Sequence, residues 1–161
     1  AQLDRFLLRV HLGYPGQDEE VAILKRFQED DPLQELDAVA QPQEVSRLQQ
    51  VRRGIHVSEH VRKYITDVVR ATRDAERAAL SLGASPRGSL ALCRTAQALA
   101  AIRGRSFVTP DDIQPLVVPT LAHRLILSSH ARLHGQAVAD VLNAIIERVP
   151  VPVEESWSEP K

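Results

Sequence analysis

Three short stretches of this 161-residue sequence hold residue types at spacings that can do chemistry. In GASPRGSLAL, Gly83 and Gly88 stand as in a phosphate-binding loop. That loop needs lysine and then Ser or Thr next, the ammonium for the phosphates and the hydroxyl for magnesium. Ser89 and Leu90 stand there instead, and no strand is legible just before them. His56, Glu59 and His60 spell H-x-x-E-H, an inverted zinc-protease pattern. Zinc ligation would need both histidines on one helical face. Ser58 reads as a helix cap, which leaves His56 ahead of the helix, so a solvated cap region is the plainer reading. His130 and His134 share the spacing without a general base and read as surface residues near a helix end.

The third stretch is Arg87 itself. Ser85 reads as an N-cap and Pro86 as the first helical residue. The next position lies in the positive end of the helix dipole, where a cation costs a few tenths of a kcal/mol. Free amides at a helix start attract anions. An arginine beside them adds a forked donor suited to phosphate, and Gly88 takes away a side chain that would block close approach. The competing reading is a solvent-facing arginine that tolerates the dipole.

These residues must be positioned by helices. Asp18-Glu19-Glu20 opens one that carries Val21, Ile23, Leu24 and Phe27 and stops at Pro32. Pro42 opens a second, which ends at Gly54. A third follows Ser58, with Val61, Tyr64, Ile65, Val68 and Val69 on one face, and fades past Thr72. The fourth starts at Ser85 and ends at Gly104. Thr109-Pro110-Asp111-Asp112 opens a fifth, with two acids on the dipole. Ala122–Leu133 and Ala137–Arg148 read as further helical stretches. Phe6, Leu8, Val10 and Leu12 alternate with Leu7, Arg9 and His11, which predicts a strand closed by Gly13-Tyr14-Pro15-Gly16. One strand makes no sheet, so its partners are expected elsewhere.

Composition narrows the function. With 43% hydrophobic residues the chain can bury a core, and its formal net charge of -1 gives no signal for nucleic acid or a membrane surface. One cysteine excludes an internal disulfide and suits a reducing compartment. No apolar run reaches the roughly 18 residues of a membrane span, and no secretory signal opens the chain. Ala1-Gln2-Leu3-Asp4-Arg5-Phe6 and the lack of any methionine read as a piece of a longer or processed protein.

Five blocks, in order, give the sequence its resemblance. They are AQLDRFLLRVHLGYP; Tyr64-Ile65 with Val69-Arg70-Ala71-Thr72-Arg73; LGASPRGSLAL; Gly104-Arg105 with Phe107-Val108-Thr109-Pro110-Asp111-Asp112-Ile113; and LAHRLIL. Together they resemble the C-terminal part of a MoxR-type AAA+ ATPase, over residues 1 to about 148. The resemblance implies an all-α helical lid bundle with a remnant strand of the α/β core. Residues 1–14 would end that core, 15–148 would form the lid, and 149–161 a flexible, proline-rich acidic tail. Arg5 matches the family's arginine finger, which acts in trans on ATP of the neighbouring subunit and offsets charge developing in phosphoryl transfer. Arg87 matches sensor 2, which contacts the phosphates in its own subunit, with Ser85 and Gly88 beside it.

The family further implies a magnesium-dependent ATP hydrolase in the cytoplasm, assembled as a homo-oligomeric ring, a hexamer, with chaperone-like action on metalloenzymes or von Willebrand A-domain proteins. Walker A and Walker B sequences are not among these residues, so the 161 residues by themselves are expected to hydrolyse no ATP. No metal, nucleic acid or membrane span is expected. The alternatives are a non-enzymatic helical interaction module and, third, a zinc peptidase using His56, Glu59 and His60.

Overall fold

The computed structural model describes residues 2–29, 31–74 and 79–152. Seven α-helices lie among them: α1 (Gln17–Glu29), α2 (Pro42–Gly54), α3 (Glu59–Asp74), α4 (Pro86–Ile102), α5 (Pro110–Leu121), α6 (Ser129–Leu133) and α7 (Val138–Arg148). Short 3-10 turns cover Leu3–Arg5, Pro32–Glu35 and Ala122–Arg124. Two strands, β1 (Leu80–Leu82) and β2 (Ile126–Leu127), pair antiparallel, Leu80 opposite Leu127 and Leu82 opposite Ile126. The chain divides into two compact units, residues 1–9 with 50–161, and residues 10–49.

The larger unit holds the core. Val61, Tyr64, Ile65, Val68 and Val69 of α3 are buried at the spacing read from the sequence. They join Leu92, Ala96 and Ala100 of α4, Ile113, Val117 and Leu121 of α5, and Val141, Leu142 and Ile145 of α7 in one apolar cluster. Before α3, His56 forms an isolated parallel bridge with Phe107. Its amide donates to the Ser106 carbonyl at 2.8 Å, and its carbonyl accepts from Val108 at 3.0 Å. Ser58 caps α3, its Oγ accepting from the Val61 amide.

The start of α5 is tied down by charge. Asp112 is fully buried and receives Arg103 Nη1 at 2.8 Å and both terminal nitrogens of Arg105, at 2.8 and 2.5 Å. The Thr109 amide and hydroxyl donate to the same carboxylate. Burial alone would raise its pKa; the bonds from Arg105 and Thr109 and the Arg105 charge override that and lower it to about 2. At the other end of α5, Pro119 lies inside the helix, and its carbonyl accepts the Arg9 amide at 2.8 Å.

Residues 10–49 are different in kind. Glu19 folds back on the Gly16 amide to start α1, and Glu44 does the same for Gln41 at the start of α2. Yet none of the described residues in this unit is buried.

Three expectations are corrected. The sequence shows no strand ahead of Gly83, yet β1 (Leu80–Leu82) runs directly into it, because β2 supplies its partner. Phe6–Leu12 forms no strand: these residues carry no ladder, and Phe6, Leu8, Val10 and Leu12 are exposed. A two-residue alternation describes a strand only where neighbouring strands accept its hydrogen bonds, and among the described residues none does. Ala122–Leu133 is not one helix, because it breaks at Leu125 and sends Ile126–Leu127 to pair with β1. From residue 153 onward the acidic tail, with Trp157, lies outside the described residues.

Candidate functional site

The mouth of α4 forms as its sequence suggests. Ser85 is the N-cap, its Oγ accepting the Arg87 amide at 3.2 Å, and Pro86 takes the first helical position. No acid occupies the first turn. The Arg87 side chain is 62% exposed there, and among the described residues it pairs with Asp4, with Nη1 and Oδ2 3.9 Å apart. At that distance and exposure the pair is weak, so the guanidinium remains available to another anion.

Gly88 is buried under the same turn. A Cβ added to it would meet Leu121 Cδ2 at 3.1 Å and the Ala84 Cβ at 3.2 Å. The glycine thus lets α4 settle closely on the end of α5. Gly83, two residues before the cap, is tighter: an added Cβ would lie 2.5 Å from the Thr72 carbonyl oxygen. The chain is locked there by Thr72 Oγ1, which accepts the Ala84 amide, and by Arg73 Nε, which donates to the Ala84 carbonyl.

Asp4 and Arg124 bring Arg5 to this place. Arg5 ends the Leu3–Arg5 turn and is exposed. Asp4, one residue earlier, accepts Ser85 Oγ at 3.2 Å through Oδ2 and Arg124 Nη1 at 2.7 Å through Oδ1. Its burial would raise the pKa; hydrogen bonds from Arg124 and Ser85 and the charges of Arg124 and Arg87 outweigh that and hold it below the usual carboxylate range. The Arg124 side chain is only 2% exposed. Besides the Asp4 carboxylate it donates to the carbonyls of Asp4, Phe6, Leu7 and Thr120. Asp4 thus sets the turn that carries Arg5 beside the mouth of α4, where Ser85, Arg87 and Gly88 lie.

Asp4 and Arg124 were not singled out by their sequence context. The usable signal was Arg124 itself, a cation inside the apolar run LAHRLIL, since a buried arginine demands an acid and several carbonyls.

The other candidates do not converge. His56 is held in its bridge before α3, whereas Glu59 begins the helix. Among the described residues no three His, Cys, Asp or Glu side chains cluster to hold a metal. His130 and His134 are exposed, with ring centroids 4.2 Å apart. Burial pushes the Cys93 thiol up, against the opposing charges of Arg62, Arg52 and Arg94.

Comparison with known proteins decides the family. The AAA lid domain matches residues 70–145, which run from α3 through α7. The YeaC protein of Bacillus subtilis (strain 168) is 36% identical over 97% of this chain and 48% of its own length. The chaperone MoxR1 of Mycobacterium tuberculosis is 32% identical over 94% of this chain and 42% of its own. The chain belongs to the MoxR-type AAA+ family. A solved structure from Cytophaga hutchinsonii, assigned as an ATPase, matches with a TM-score of 0.82 at 27% identity. That match covers 94% of this chain and 48% of the other. The MoxR-type chain thus spans about half the length of the curated relatives it matches. Its all-α lid architecture agrees with the lid-domain match and with the solved structure. Among the described residues no helix is long and apolar enough to cross a membrane.

Proposed function

We propose that this chain is the lid of a chaperone-like AAA+ ATPase, and that Arg87 reads the phosphates of ATP held by its own subunit. The observation that carries the reading is Arg87 itself: an exposed guanidinium at the acid-free start of a 17-residue helix, with only a distant ion pair. Helix amides and a forked cation together suit a phosphate. Ser85 and Gly88 act behind it, one capping the first turn and the other seating the helix on α5. Arg5, exposed on its turn, reaches the nucleotide of an adjoining subunit in a homo-oligomeric ring. There its charge offsets the charge that builds up as phosphoryl transfer proceeds.

ATP supplies the phosphoryl group and magnesium the counter-charge, both held by nucleotide-binding sequence outside these residues. Residues 1–14 close that core, residues 15–148 move as its lid, and the product of the cycle is a remodelled client protein. Metalloenzymes and von Willebrand A-domain proteins are the proposed clients, in the cytoplasm.

The test uses a protein that also contains the nucleotide-binding half. Arg87→Ala weakens ATP binding or hydrolysis at least tenfold. Arg5→Ala leaves ATP binding intact and lowers turnover in mixed rings with wild-type subunits. Unchanged binding and turnover in both variants would favour a purely structural, non-enzymatic helical module.

A further inference from the structure

We propose that Arg124 is a positioning residue that clasps the Arg5-bearing turn, at the end of the core, to the mouth of α4, so that Arg5 stays coupled to the lid that carries Arg87. The proposal rests on the roles given to Arg5 and Arg87 above.

Apolar packing does not hold that turn. No residue of Leu3–Arg5 is buried, and Leu3, Phe6 and Leu7 are 60%, 64% and 47% exposed. Polar contacts hold it instead. Arg124 has five N–H groups, and each has an acceptor. Nε donates to Thr120 O at 2.9 Å, which anchors the side chain to the last turn of α5. Nη1 donates to the Asp4 carbonyl and, at 2.7 Å, to Asp4 Oδ1. Nη2 donates to Phe6 O at 2.5 Å and Leu7 O at 3.3 Å. His123 Nε2 lies 3.1 Å from the Phe6 carbonyl, and the Arg9 amide donates to Pro119 O.

The carboxylate of Asp4 then joins Arg124 to Arg87. One oxygen faces Arg124; the other faces Ser85 Oγ and, at 3.9 Å, Arg87. A phosphate drawn to Arg87 competes with that long contact while the Arg124 fork keeps its grip. Lysine cannot do this, because a single ammonium lacks the planar fork that reaches the Asp4, Phe6 and Leu7 acceptors together.

Two measurements test the clasp. In the 161-residue chain, Arg124→Lys speeds exchange of the bonded amides of Arg5, Phe6 and Arg9 at least tenfold and leaves α4 and the rest of α5 protected; Asp4→Asn does the same to a smaller extent. Unchanged exchange at Arg5, Phe6 and Arg9, or a rise spread evenly through α4 and α5, overturns the proposal. In the protein that includes the nucleotide-binding half, Arg124→Lys lowers kcat about tenfold with KM for ATP within twofold. The Arg5→Ala/Arg124→Lys double variant is then no slower than Arg5→Ala alone, since both remove one function. Additive losses, or a rise in KM with kcat kept, overturn the clasp while leaving the parent reading intact. If Arg5→Ala and Arg87→Ala themselves change nothing, the parent reading fails instead.

Discussion

Asp112 offers a sharp test of how this fold is held. Its carboxyl is fully buried and bound by Arg103, Arg105 and Thr109, with its pKa lowered from 3.8 to about 2. The ionised form is favoured in the folded protein, so the folded pKa lies below the unfolded one. Its stabilisation is then complete above about pH 5 and is lost as the pH falls through 4 toward 2. A tenfold change in proton affinity is worth about 1.36 kcal/mol, so this group contributes about 2 kcal/mol at neutral pH, of which roughly half is gone by pH 3. Asp112→Asn removes the titration and weakens the Arg105 fork. Urea unfolding at pH 7 should show the variant less stable by about 2 to 3 kcal/mol. Repeated at pH 5, 4, 3 and 2.5, the gap between wild type and variant should narrow steadily. A gap that stays constant from pH 5 to pH 2.5 would refute the assignment, because the carboxyl would then not be the group that titrates.

Four further outcomes follow from particular contacts. Gly83→Ala places a methyl 2.5 Å from the Thr72 carbonyl oxygen, a backbone atom, and should cost about 3 kcal/mol in chemical denaturation; a neutral result would mean the α3–β1 junction yields easily. Tyr64 is 2% exposed and its hydroxyl has no partner among the described residues. Tyr64→Phe should therefore be neutral or stabilise by up to about 1 kcal/mol, and a clear fall in Tm would reveal a partner. Ser85→Ala loses the cap and the bond to Asp4 and should cost about 1 kcal/mol. Arg87→Ala, at a side chain 62% exposed, should change stability by less than about 0.5 kcal/mol, so a Tm change of several degrees would contradict its freedom.

What the sequence makes legible here is what lies within a few residues. Ser58 and Ser85 announce helix starts because a cap acts on amides two or three residues away. The α3 stripe from Val61 to Val69 is legible because burial follows the helical period. The Asp4–Arg124 clasp spans 120 residues, and nothing near either residue announces it. Phe6–Leu12 carries a strand's alternation without a strand's neighbours, so a local pattern there points to structure that does not form among the described residues. The split of Ala122–Leu133 is hidden for a related reason: β2 exists only because β1 supplies its partner. Of the site, Arg87 is visible as a broken dipole rule and Arg5 only through family resemblance. Their common anchor emerges from the tertiary fold.

The unburied state of residues 10–49 has a practical consequence for anyone screening variants. Its α-helix of 13 residues, α1, buries none of its described side chains, and helices of that length are marginal when nothing packs on them. Such a segment loses its structure before the core does and contributes little to the cooperative transition. A melting temperature therefore reports on the α3–α4–α5–α7 cluster alone. Substitutions at Val21, Leu24 or Phe27 can abolish whatever that face does and still pass a thermal-shift screen as wild type.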